Sequence, residues 1–146
     1  QSKCTERRIA KAAGRLTYAF ANADVPKVTV VIGEAYGSAY VTMNSKSIGA
    51  DIVYAWPDAK IGMMDAAAAV KIMYAEEISA SDKAAALISE KAAEYEALQS
   101  SAAAAAGRGY VDDIIKADET RQRVIAAFEM LFTKREGRPS RKHGTV

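Results

Sequence analysis

The stretch Val28-Thr29-Val30-Val31-Ile32-Gly33-Glu34-Ala35-Tyr36-Gly37-Ser38-Ala39-Tyr40 decides the fold. Residues 28–32 form a β-branched run bounded by Pro26 and Gly33, which predicts a short strand buried on both faces. Small residues take over next, so 33–39 reads as a tight turn and 40–46 as a short helix. A strand passing through a turn into a helix is the building unit of a layered α/β fold with a largely parallel sheet.

Upstream, Ile9, Ala12, Ala13, Leu16, Ala19 and Phe20 recur at helical spacing, predicting a helix over 6–23 with one apolar stripe. Asn22, Asp24 and Pro26 end it. Downstream, 51–55 and 60–63 read as strands, separated by Trp56-Pro57-Asp58. Asp65 is the N-cap of a helix through residue 74, and Ser81 or Asp82 caps an alanine-rich helix over 83–105. Gly107-Arg108-Gly109 stops that helix, and 111–115 is a further strand. A last helix opens at Asp118 or Glu119, with Val124, Ile125, Phe128, Leu131 and Phe132 as its buried stripe. The sequence shows no internal repeat.

Half of the 146 residues are apolar, and a net charge of +2 gives no electrostatic footprint for nucleic acid. The basic tail Lys134-Arg135, Arg138, Arg141-Lys142 is interrupted by Gly and Pro and accompanies no base-reading motif. No run approaches the roughly 18 apolar residues that a membrane helix needs. A single cysteine, Cys4, fits a reducing cytoplasm, and no His/Cys/carboxylate spacing points to a metal. The chain opens on Gln1 in a charged helix-forming stretch, so we expect a piece of a longer protein.

Several segments then occur in one order: Val25-Pro26-Lys27-Val28-Thr29-Val30, Ala35-Tyr36-Gly37-Ser38-Ala39-Tyr40, Ser45-Lys46 and Gly49-Ala50-Asp51. They are followed by Tyr54-Ala55-Trp56-Pro57, Gly109-Tyr110-Val111-Asp112-Asp113-Ile114, Glu119-Thr120-Arg121 and Lys142-His143-Gly144. In this order they resemble the C-terminal domain of the biotin-dependent acyl-CoA carboxyltransferases. That family includes propionyl-CoA and acetyl-CoA carboxylase β subunits and the α subunits of methylmalonyl-CoA and glutaconyl-CoA decarboxylases. The resemblance implies a crotonase-like (ClpP/crotonase) β-β-α superhelix, here partial. Residues 1–146 would be a fragment of the C-terminal domain, without the N-terminal acyl-CoA-binding domain.

The resemblance also implies the chemistry. Moving a carboxyl group between carboxybiotin and a short acyl-CoA generates two oxyanions, the ureido oxygen and the thioester enolate. Fixed backbone N–H groups stabilise such charge without an acidic side chain. The family motif usually reads Gly-Gly-Ala, which places the oxyanion-hole amides on Ser38 and Ala39, after Gly37. Ser38 replaces the commoner glycine and keeps the amide, provided that φ is not positive there. Val41 resembles the substrate-selecting position, while Tyr36, Tyr40 and Trp56 are candidate wall residues for the biotin and acyl groups. Biotin on a carrier protein would supply the carboxyl group and the proton-abstracting ureido nitrogen. The implied partners are a biotin carboxyl carrier protein, an acyl-CoA, a biotin carboxylase or a membrane decarboxylase subunit, and further copies of the chain, hexameric when full length.

Other readings stand beside this one. Without the resemblance, the turn at 33–39 reads as a plain βα connection. Trp56-Pro57 reads as a structural corner, and Tyr36 and Tyr40 read as packing residues. Run in reverse, the same chemistry belongs to a sodium-pumping decarboxylase. A crotonase-type hydratase or hydrolase needs a carboxylate near the oxyanion hole, for which Glu34 and Asp65 are the nearby candidates. A non-catalytic fragment is the remaining alternative. His143 in a polar tail and Cys4 without a nearby histidine make poor catalytic groups.

Overall fold

In the computed structural model, which describes residues 3–137 with side chains from residue 8 onward, the β-branched run forms β1 (Val28–Val31). A helix, α1 (Lys3–Asn22), precedes it. After Gly33 the chain makes a second strand, β2 (Glu34–Tyr36), and enters α2 (Gly37–Thr42) with no intervening loop. The order then repeats as β3 (Ile52–Ala55), β4 (Lys60–Gly62) and α3 (Ala66–Met73). β1 pairs in parallel with β3, Val28 opposite Ile52 and Val31 opposite Ala55. β2 pairs in parallel with β4, Glu34 opposite Lys60 and Tyr36 opposite Gly62. Each strand therefore lies on its counterpart in the other unit, so two β-β-α units stack as a superhelix although the sequence carries no visible repeat.

The expected turn at 33–39 is therefore part strand and part helix. Glu34 is exposed and β2 is only three residues long, so alternation gives no warning of it; pairing with β4 creates it. The helix after it starts at Gly37 rather than at 40 and ends at Thr42. The strand buried on both faces is β3, not β1. All four β3 residues are buried, whereas Val28, Thr29 and Val30 are half-buried at the edge of a three-stranded sheet with β3 in its centre. The third strand, β5, is Asp113–Ile114, shorter than expected.

The two faces of β3 serve two cores, as its period of two requires. Val53 and Ala55 join Val31, Ile61, Ala102, Ala105 and Val111, while Ile52 and Tyr54 pack with Ile115 and Ala127.

After α3 come α4 (Ala75–Ala80) and α5 (Ala84–Tyr95). The helix expected over 83–105 is broken. A π turn (Glu96–Ser100) ends α5, and Ser101 is extended and N-caps α6 (Ala102–Gly107) through a 3.1 Å bond from the Ala104 amide. Ser101 also bridges to Lys60, so contact with β4 imposes the break. Before α5, the Ser81 hydroxyl accepts from the Lys83 amide, while Asp65 caps α3 as expected, accepting from Ala68 at 3.0 Å.

The final helix, α7 (Thr120–Met130), follows Glu119, whose side chain makes no cap bond. Its expected buried stripe is largely exposed: Ile125, Phe128 and Phe132 face outward, and Ala127 is its buried residue. The stripe of α1 is likewise open at Ile9 and Leu16. Among the described residues, no helix is long and apolar enough to cross a membrane. The Cys4 side chain, His143 and tail residues 138–146 lie outside the described residues.

Polar pairs fix the register of these elements. Lys46 bonds both carboxylate oxygens of Asp112 at 2.6 and 2.7 Å, and Asp112 also accepts from the Val53 amide at 2.8 Å. The Asp51 carboxylate accepts from the Lys27 amide and from Lys134 Nζ, each at 2.7 Å. The Trp56 indole donates to Thr120 Oγ1 at 3.0 Å. Segments that carried the family resemblance are thus partners in space, which gives them a structural reason for occurring together.

Candidate functional site

Gly37 is the pivot between β2 and α2. Its φ is +59°, and an added Cβ would stand 3.0 Å from the Met63 carbonyl oxygen. Glycine is needed there for conformation and for space. Ser38, by contrast, is not among the positive-φ residues, where Asn44 is the one non-glycine among those described. A side chain at position 38 is therefore compatible with the backbone, and its amide is retained. The first amides of a helix have no intrahelical acceptor. Ser38 and Ala39 are exposed, so those donors lie at the surface rather than in the core.

The candidate residues divide between the two sides of α2. Ser38 and Ala39 border a groove of about 370 Å³ whose other wall is Ile9, Ala12 and Leu16 of α1. Gly37, Tyr40 and Val41 line a cavity of about 390 Å³ on the other side, with Ile61 and Met63 from the β4 region. Tyr36 lines a third depression, over β1, together with Ala39 and Tyr40. Trp56 borders none of these hollows. It packs against the second core and is tied to α7, which is the corner role.

Tyr40 is half-buried, and its hydroxyl is buried without a partner. Burial, then the nearby Tyr110, pushes its pKa upward, so the group is a neutral donor. Burial and the Glu34 carboxylate likewise raise Tyr36. Neither phenol is poised as an acid–base group near neutrality.

The two carboxylates that hydratase chemistry would need are otherwise engaged. Asp65 caps α3, and Glu34 lies 3.8 Å from Lys60, which also pairs with Glu96. Among the described residues, no group of three His, Cys, Asp or Glu side chains gathers as a metal site.

Sequence reasoning missed one part of the cavity wall. Arg108 and Tyr110, from the connection after α6, line it together with Val41. Gly107-Arg108-Gly109 read only as a helix stop, and nothing in local sequence brings Arg108 to α2. The packing of α6 against β4 does so.

Comparison with known proteins agrees with this architecture. A family model described as the carboxyl transferase domain matches residues 2–146. The putative propionyl-CoA carboxylase beta chain of Bacillus subtilis is 50% identical over 132 residues, covering 90% of this chain and 26% of that protein. The methylmalonyl-CoA carboxyltransferase 12S subunit of Propionibacterium freudenreichii is 44% identical over 130 residues, 89% of this chain and 25% of that protein. A crystal structure of transcarboxylase 12S, described as a hexamer with methylmalonyl-coenzyme A and methylmalonic acid bound, superposes with a TM-score of 0.91 at 41% identity. It covers 99% of this chain and 28% of its own. The chain thus spans about a quarter of the length of the relatives it matches. With two stacked β-β-α units and this match along its length, the chain belongs to the carboxyl transferase domain family and has its crotonase-like fold.

Proposed function

We propose that this chain is the C-terminal, biotin-side part of a carboxyltransferase that moves a carboxyl group between carboxybiotin and a short acyl-CoA. The observation that carries the reading is the left-handed Gly37 leading straight into α2, which leaves the Ser38 and Ala39 amides at an exposed helix start. Those amides are suited to hold a ureido oxygen as negative charge grows on it. The residues present fit that group: the donors are fixed backbone, the adjoining wall is apolar, and among the described residues no carboxylate borders the groove to repel an anion.

Biotin, brought on a carrier protein, supplies the carboxyl group and the base for the substrate α-proton. The chain's own part is electrostatic and positional. Ser38 and Ala39 hold the oxyanion, Gly37 permits the turn that aims them, and Tyr36, Tyr40 and Val41 form walls. Most of the acyl-CoA contacts would come from an N-terminal domain of the full-length subunit. Further partners in this reading are a biotin carboxylase and other copies of the subunit in a hexamer, in the cytoplasm. The reverse direction has support of its own: the methylmalonyl-CoA decarboxylase subunit alpha of Propionigenium modestum is 46% identical over 132 residues. A membrane decarboxylase subunit would then replace the carboxylase.

The test is biotin dependence. Full-length subunit containing this chain should release the carboxyl group of methylmalonyl-CoA only when free biotin or a biotinylated carrier is added. The 146-residue chain alone should show no transfer. Biotin-independent turnover, or hydration or hydrolysis of the thioester, would overturn the assignment.

A further inference from the structure

The cavity between α2, β4 and α6 has an electrostatic character that its mostly apolar wall conceals. Tyr40, Val41, Ile61, Met63 and Ala105 line it, and Arg108 is the one charged residue in the lining among the described residues. The Arg108 guanidinium donates to the Gln99 carbonyl at 3.1 Å and to the Gln99 side-chain oxygen. Both acceptors are neutral, and Arg108 forms no salt bridge among the described residues. A guanidinium held in place by neutral acceptors keeps its full charge and its unused N–H groups for an anion. Volume, apolar lining and one fixed cation together describe a pocket for a small organic anion with a short alkyl part.

We propose that Arg108 recognises the carboxylate of a short acyl group seated in this cavity, with the alkyl part against Val41, Ile61 and Met63. The inference rests on the carboxyltransferase reading, in which the acyl substrate gains or loses one carboxylate. Arg108 is then a specificity-determining residue that favours the carboxylated member of that pair. It supplies the charge that Val41, in the same lining, does not have.

The experiment is an amide-resolved NMR titration of the chain with methylmalonate, and with neutral methylmalonamide as the control. Methylmalonate should give saturable shifts at Gly37, Val41 and Tyr110. Arg108→Gln should weaken its binding about tenfold, the scale of one lost charge-assisted contact, and Arg108→Lys should recover most of that loss. Binding of methylmalonamide should not respond to Arg108→Gln, which separates loss of charge from loss of the Gln99 clasp. Equal methylmalonate affinity in Arg108→Gln, shifts confined to other surfaces, or no saturable binding by the folded chain would each overturn the proposal. Binding needs neither biotin nor turnover, so such a failure would leave the biotin-dependence test of the carboxyltransferase reading intact.

Discussion

At the scale of single residues, one glycine shapes the proposed site. Gly37 holds φ at +59° and sits where a Cβ would press on the Met63 carbonyl oxygen. An L residue in the left-handed region costs about 1–2 kcal/mol, before any shift of Met63. Gly37→Ala should therefore lower the free energy of unfolding measured in urea by that amount; an unchanged value would show that the turn is not strained by a side chain. Gly49 is under a similar constraint, at φ +103°, beside Lys27 Nζ. The Gly37 turn was legible in the sequence because small residues cluster there. The role of Arg108 was not, because its meaning depends on what lines the cavity with it. A residue named by its neighbours in sequence as a helix stop is a cavity wall by its neighbours in space.

At the scale of elements, the strong apolar patterns gave reliable positions and the weak ones did not. The β-branched run at β1, the run at β3 and the Asp65-capped α3 all lie where periodicity and capping place them. β2 escaped because three residues beginning with an exposed glutamate carry no alternation, and its existence depends on β4. The long alanine-rich helix was overread for a related reason. Alanine favours helix at every position, so propensity alone offers no stop. The break arises where Ser101 leaves helical geometry to bridge Lys60 and cap α6. Ser101→Ala should cost about 1 kcal/mol, the usual value of an N-cap, in chemical denaturation. If stability is unchanged, the bridge rather than the cap holds the break. The stripe of α7 teaches a third lesson: helical periodicity marks a face suited to burial but does not name what covers it. Ile125 and Phe132 are 50% and 79% exposed here.

At the scale of the molecule, charge ties the segment after α7 to the residue that precedes β3. Lys134 bonds both oxygens of Asp51 at 2.7 and 2.9 Å, and it reaches Glu136 as well. Burial raises the Asp51 pKa, but the hydrogen bonds from Lys134 and the Lys27 amide outweigh it and hold the value below its ordinary 3.8. Burial lowers Lys134, and its bonds to Asp51 and Glu136 outweigh that in turn, so it ends above 10.5. The stabilisation from a depressed carboxylate is complete above the unfolded pKa and disappears as pH falls through the folded one. Melting temperature should therefore hold between about pH 5 and pH 9 and fall below about pH 4. Asp51→Asn should remove about 2 kcal/mol at pH 7 and flatten that acid decline; an equally steep decline in the variant would assign it to other groups. The proposed chemistry rests on two backbone amides beside this framework. Their direct test is carboxyl transfer between methylmalonyl-CoA and free biotin by full-length subunit carrying Ser38→Gly or Ala39→Pro, each checked for folding by circular dichroism. Ser38→Gly keeps both amides and should transfer at a near-normal rate, whereas Ala39→Pro deletes one and should lose about 100- to 1,000-fold. Near-normal transfer by a folded Ala39→Pro variant would contradict the backbone-amide mechanism.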